Sequence, residues 1–132
     1  MISEFSIKTS TRNQLVDITS QVQEFIRNSQ FRDGICVVYT PHTTAAITIN
    51  ENADPDVKFD VMRKLSEVFP HSDNYRHSEG NSDSHIKSSL VGCSETIIVA
   101  GGKLLLGTWQ GIYFCEFDGP RQRTFVVKLV AG

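Results

Sequence analysis

Apolar and polar residues alternate with period two in several short runs of this chain and recur at helical spacing in others. Glu4 to Thr9 sets Phe5 and Ile7 against polar neighbours, which predicts a strand, and Asn13 to Ile18 is placed to pair with it as a hairpin. Val22, Phe25 and Ile26 predict a helix from about Thr19 to Asn28, with Gly34 marking the exit. Gly34 to Thr40 is apolar and β-branched and reads as a buried strand. Pro41 interrupts it, and Ala45 to Ile49 resumes as a second strand. Asp54-Pro55 then announces a helix, a capping carboxylate followed by proline in the first turn. Val57, Val61, Leu65 and Val68 form one face of it, and Pro70 stops it.

A polar stretch, His71 to Ser84, follows. Ser82 heads a short helix with Ile86 and Leu90 as its apolar face and Gly92 as its stop. Glu95 to Ala100 is a strand closed by Gly101-Gly102. Gly111 to Phe117 and Thr124 to Val130 flank the turn signal Asp118-Gly119-Pro120-Arg121. Large apolar groups on both faces of GIYFCEF imply that this strand is covered on both sides. The expected fold is α/β (α+β): one domain over residues 1–132, a mainly antiparallel sheet or sandwich with two or three packed helices.

Composition narrows the function. A chain of 132 residues fits one domain and buries roughly two thirds of its unfolded surface, so it needs neither disulfide nor metal to fold. The net charge is −2 and basic residues form no block, so no nucleic-acid partner is expected. The longest apolar runs, such as Thr96 to Ala100, are far below the ~18 residues of a membrane helix. Met1 to Ser10 lacks the apolar centre of a signal peptide. A cytoplasmic protein is expected. Cys36, Cys93 and Cys115 are odd in number and show no zinc spacing; Cys36 and Cys115 lie in apolar runs, where a thiol acts as a small hydrophobe.

The candidate chemistry lies in HSEGNSDSH, which holds His77, Glu79, Asp83 and His85 within nine residues. His85 falls in the first turn of the predicted helix, at the positive end of its dipole, a setting that favours an uncharged ring able to bind a metal or act as a base. The free amides of Asn81, Ser82 and their neighbours suit a phosphate, and Gly80 lets the backbone approach a ligand. His42 joins this set from between two strands, and its neighbours Thr43, Thr44, Ala45 and Ala46 are small enough for close approach. His71 reads as a surface residue. Glu116 stands in an apolar strand, where an unpaired carboxylate is costly. It is either ion-paired across the turn with Arg123 or aimed into the site, with Arg121 holding an anionic substrate. Asn50, Glu51 and Asn52 are either capping residues or a second polar wall.

PHTTAAITINENADPDV, HSEGNSDSHIKSSL and LLLGTWQGIYFCEFDGPR, in this order, resemble the YjbQ-type family, also labelled secondary thiamine-phosphate synthase. The resemblance runs from about Phe5 to Leu129; Ser84 stands where alanine is more frequent, a small residue in either case. It implies a compact α/β fold, a homotrimer with sites near the subunit contacts, and His42, His77 and His85 as the metal or catalytic set. Asp83, Glu116 and Arg121 match the family's other polar positions. The implied activity joins hydroxymethylpyrimidine diphosphate to thiazole phosphate with loss of pyrophosphate. Three histidines suit Zn²⁺ or another transition ion better than Mg²⁺, which prefers oxygen ligands. An open zinc site would favour hydrolysis of a small polar or phosphorylated substrate instead. A module that only binds a phosphorylated metabolite is the third reading. No organic cofactor is expected.

Overall fold

A computed structural model describes residues 1–132. The strands are β1 (Ile2–Lys8), β2 (Gln14–Asp17), β3 (Gly34–Tyr39), β4 (Ala45–Glu51), β5 (Ser94–Ala100), β6 (Lys103–Leu104), β7 (Gln110–Glu116) and β8 (Gln122–Ala131). The helices are α1 (Thr19–Asn28), α2 (Pro55–Val68) and α3 (Ser82–Val91). One sheet has the order β1-β8-β3-β5-β6 and the other β2-β7-β4, with every pairing antiparallel. No helix is long and apolar enough to cross a membrane.

Alternation explains how the sheets meet. Along β8, Arg123, Phe125, Val127 and Leu129 turn inward and are buried. Cys36 and Val38 of β3, and Ile97 and Val99 of β5, face the same core. The smaller sheet adds Ile112, Phe114, Ala45 and Ile47, and α1 adds Val22 and Ile26. Phe5 stacks on Phe125 with ring centroids 5.1 Å apart. β7 is covered on both faces, as its composition implies. Ile112 and Phe114 enter the main core, while Cys115 joins a second cluster with Ala46 and Phe117, packed by Met62, Leu65 and Val91 of the helices.

Two expectations need correction. Asn13 to Ile18 is not the hairpin partner of β1: β2 pairs with β7, and β1 pairs with β8 from the far end of the chain. The strand Gly34 to Tyr39 is buried on one face only, for Ile35 and Tyr39 are exposed. The apolar face of α2 packs through Leu65 against the second cluster, although no residue of that helix is fully buried and Val68 is 54% exposed. The Asp54 cap does form, its side chain accepting from the Asp56 amide at 2.9 Å.

Gly34 is the tightest backbone point. Its φ is +150°, and a β-carbon there would lie 2.0 Å from the Val130 carbonyl oxygen and 2.7 Å from the Phe31 ring. Backbone oxygen cannot retreat without breaking the β3–β8 ladder. Gly34→Ala is therefore expected to lower stability by about 3 kcal/mol, the range of severe steric substitutions. Urea denaturation reads this as a lower midpoint at unchanged slope.

Candidate functional site

His42 sits in the loop between β3 and β4, partly buried. Its Nε2 accepts a hydrogen bond from the Thr124 backbone N–H at 2.9 Å. A backbone amide can only donate, so the Nε2 lone pair is occupied and the ring proton is on Nδ1. Burial, followed by the positive charge of Arg123, pushes the His42 pKa down, with Glu116 opposing and Arg121 assisting. His42 is thus a neutral ring that offers an N–H, not a lone pair.

Glu116 resolves as the ion pair, but across the two sheets rather than across one turn. It ends β7 in one sheet, Arg123 belongs to β8 in the other, and both are buried. The Arg123 Nε donates to both carboxylate oxygens at 2.9 and 3.1 Å. The Thr9 hydroxyl (2.7 Å) and the Asp118 amide (3.0 Å) complete the shell. Burial alone would raise the Glu116 pKa; these donors outweigh it and hold the carboxyl below its ordinary value. Arg123 also donates to the Thr44 hydroxyl at 2.8 Å, so Thr44 is part of this pair's shell. Glu116 and Thr44 therefore act inside the scaffold behind His42, while Thr43 is exposed beside it.

Helix α3 reverses its expected facing. Leu90 is 63% exposed, and the buried side chains are Asp83, Ser84, Lys87 and Ser88. Asn81 is the residue before the helix, and its side chain does not cap it. The buried polar face is matched by polar partners. Arg12 donates to Asp83 (3.0 Å) and Asp118 (3.1 Å), and the Asn81 amide donates to Asp118 at 2.8 Å. The Lys87 ammonium, 1% exposed, reaches Asn13 (3.2 Å), Ser66 (3.1 Å) and the Asp83 carboxylate (3.5 Å). Burial pushes the Lys87 pKa down, with Asp83 opposing. Asp83 is consequently an anchor for the helix start and is turned away from solvent. Arg121 spends Nε and Nη2 on Asp118. Gly80 has φ +78° and gives its carbonyl to His71 at 2.8 Å, which remains on the surface.

This anchoring leaves His85 on the accessible side of α3, where it borders two depressions of about 450 Å³ each. One is lined by Tyr75, Arg76, His77, Ser82, His85 and Ile86. The other is lined by His42, Thr43, His85, Ser88, Ser89, Gly92 and Cys93. The His77 and His85 rings meet edge to face with centroids 5.5 Å apart, and His77 lies 3.8 Å from Glu79. The three histidines are therefore neighbours along one wall. They are not a coordination shell within one chain: no three His, Cys, Asp or Glu side chains gather closely enough for an ion, and His42 has no free lone pair.

The comparisons with known proteins agree with this architecture. The family described as UPF0047 protein YjbQ-like matches residues 3–132. The chain belongs to the YjbQ-like UPF0047 family. A UPF0047 protein of Methanocaldococcus jannaschii is 60% identical over 130 residues, covering 98% of this chain and 94% of that protein. The UPF0047 protein YugU of Bacillus subtilis is 53% identical, covering 98% and 99%. A crystal structure of a YjbQ/UPF0047 protein from Clostridium acetobutylicum superposes with a TM-score of 0.95 at 56% identity, covering 97% of this chain and 99% of that one.

In this YjbQ-like chain the histidines, Thr43 and Ser82 line the two depressions, whereas Asp83, Thr44, Asn81, Arg121 and Glu116 support them from behind or beside. Arg76, Cys93 and Lys87 were missed by sequence reasoning. The Asp83–Lys87 spacing of four on a helix was the available signal for Lys87. Arg76 adjoins His77, and it forms no ion pair in the structure.

Proposed function

We propose that the chain is an enzyme acting on small phosphorylated substrates at the two depressions that share His85, by transfer of the thiamine-phosphate synthase type. The observation that carries this reading is that His85 borders two cavities, an arrangement that can seat one substrate on each side of the ring. In the proposed reaction a thiazole nitrogen bonds to the pyrimidine methylene carbon. The bond from that carbon to diphosphate breaks, and pyrophosphate leaves with its electron pair. The leaving group needs positive charge and donors. Arg76 is an unpaired cation beside His77, and Ser82 at the start of α3 lines the same depression. His42 supplies an N–H from the other side. The test is formation of thiamine phosphate from the two precursors by purified protein, compared with His85→Ala. Equal product from both would sink the proposal. Thermal stabilisation by the precursors without turnover would leave a binding module.

Self-association as a homotrimer is proposed with it. The outer face of the larger sheet is uncovered: Ile35 is opposite Ile98 on one side and Val130 on the other, and these are 38%, 56% and 41% exposed. An apolar row of this kind marks a contact surface. Light scattering is expected to give about 44 kDa, three times 14.8 kDa, and Ile98→Asp is expected to shift it to the single-chain mass. A wild-type mass of one chain would remove the trimer. A cytoplasmic setting is proposed on the unpaired cysteines, which suit a reducing compartment.

A further inference from the structure

The histidine depressions lie at the end of the larger sheet where β3 finishes and β5 begins. A larger cleft, of about 610 Å³, is at the opposite end, between the close of α1 and the β5–β6 turn. The six residues of β3 separate the two ends by about 20 Å. Arg27, Arg32 and Lys103 line this cleft, no carboxylate does, and none of the three cations makes an ion pair. The nearest acid in sequence, Asp33, accepts from the Gly101 amide at 3.2 Å.

We infer that this cleft is a second anion site, built to hold the phosphoryl group of a small phosphorylated molecule. All three cations are exposed, and gathered around one concavity they focus a positive potential that draws an anion to it. Arg27 also lies in the last turn of α1, where the dipole favours a cation. Even there the terminal carbonyls of residues 25, 26 and 27 are already taken by the Ser29, Phe31 and Gln30 amides. Arg32 and Lys103 belong to no helix. The frame is held in place by Gln23. Its amide donates to the Gly102 carbonyl at 3.0 Å and its oxygen accepts from the Leu104 amide at 3.0 Å, tying the turn to α1. Gly101 and Gly102 have φ of +58° and +76°. Arg32 lies so close that a β-carbon on Gly102 would meet its Nη1 at 3.4 Å, which seats the guanidinium against bare backbone. Ile26, Phe31 and Leu104 give the cleft apolar walls for the rest of the ligand, and the volume is within the usual range for small-molecule sites.

The test is a titration of ¹⁵N-labelled full-length protein with inorganic pyrophosphate, with sodium chloride adjusted to hold ionic strength constant. Saturable shifts of the Gly101, Gly102 and Lys103 amides are expected. Arg32→Gln is expected to weaken binding by about tenfold, the scale of one charge-assisted hydrogen bond. His85→Ala is expected to leave these shifts unchanged, so the result stands apart from the proposed transfer reaction. Absence of saturation, shifts reproduced by chloride alone, or an affinity unchanged in both Arg32→Gln and Lys103→Gln would each overturn the site.

Discussion

Arg123→Ala is expected to cost about 3–5 kcal/mol of stability, the penalty for leaving a buried charge without its partner. The guanidinium holds Glu116 of the opposite sheet and the Thr44 side chain, and both acceptors are buried. Thr9 and the Asp118 amide would still donate to the carboxylate, but neither carries charge. Urea denaturation at neutral pH measures the loss. A loss below about 1 kcal/mol would mean that water reaches Glu116 and that the pair is not sealed. The pH dependence has a definite sign. The folded-state pKa of Glu116 lies below its ordinary value of 4.5, so in acid the unfolded chain binds the proton first. The stabilisation is complete above about pH 4.5 and is lost as pH falls through the lowered folded value. Without Arg123 the carboxyl loses its charged partner, so its folded-state pKa moves upward from that lowered value. The difference between wild type and variant is therefore greatest at neutral pH and narrows in acid.

Features fixed by neighbouring residues were legible in the sequence. Asp54-Pro55 starts α2 where expected, Gly92 ends α3, and the two-sided apolar character of β7 is repeated in its burial. Pairings were not, because they depend on distant segments. Nothing between Lys8 and Gln14 records that β1 will pair with Gln122–Lys128 instead of with β2. Helix α3 misled for a different reason. Its apolar residues, Ile86 and Leu90, look like a core face, but the protein buries the polar face because Arg12, Asn13, Ser66 and Asp118 wait there as partners. Those four residues come from three separate parts of the chain. The same effect divided the candidate site. Residues whose type announced chemistry proved to be of two kinds, those left open to solvent and those absorbed by partners. Only the three-dimensional neighbours of Asp83 and Glu116 place them in the second kind, while Arg121 stays half exposed yet is committed to Asp118.

That division makes His85→Ala the most informative activity measurement. The His85 side chain makes no hydrogen bond within the protein, and the ring is only partly buried. Its removal is expected to change stability by no more than about 0.5 kcal/mol, as for other surface substitutions. If it moves a proton or donates to the leaving group, kcat should nevertheless fall by about 10²- to 10⁴-fold. His42→Ala is the contrasting variant, because it strands the Thr124 amide and should cost about 1–3 kcal/mol of stability in addition to activity. The pH profile separates the two residues further. His42 must stay uncharged to accept from Thr124, and its pKa is held below the ordinary 6.5, so the acid limb that it imposes on kcat/KM should fall below pH 6.5. An acid limb that persisted unchanged in His42→Ala would assign it to another group. Full activity in His85→Ala would show that the shared border of the two depressions is not where the reaction occurs, and would move the search toward Arg76 and His77 on one side or Cys93 on the other.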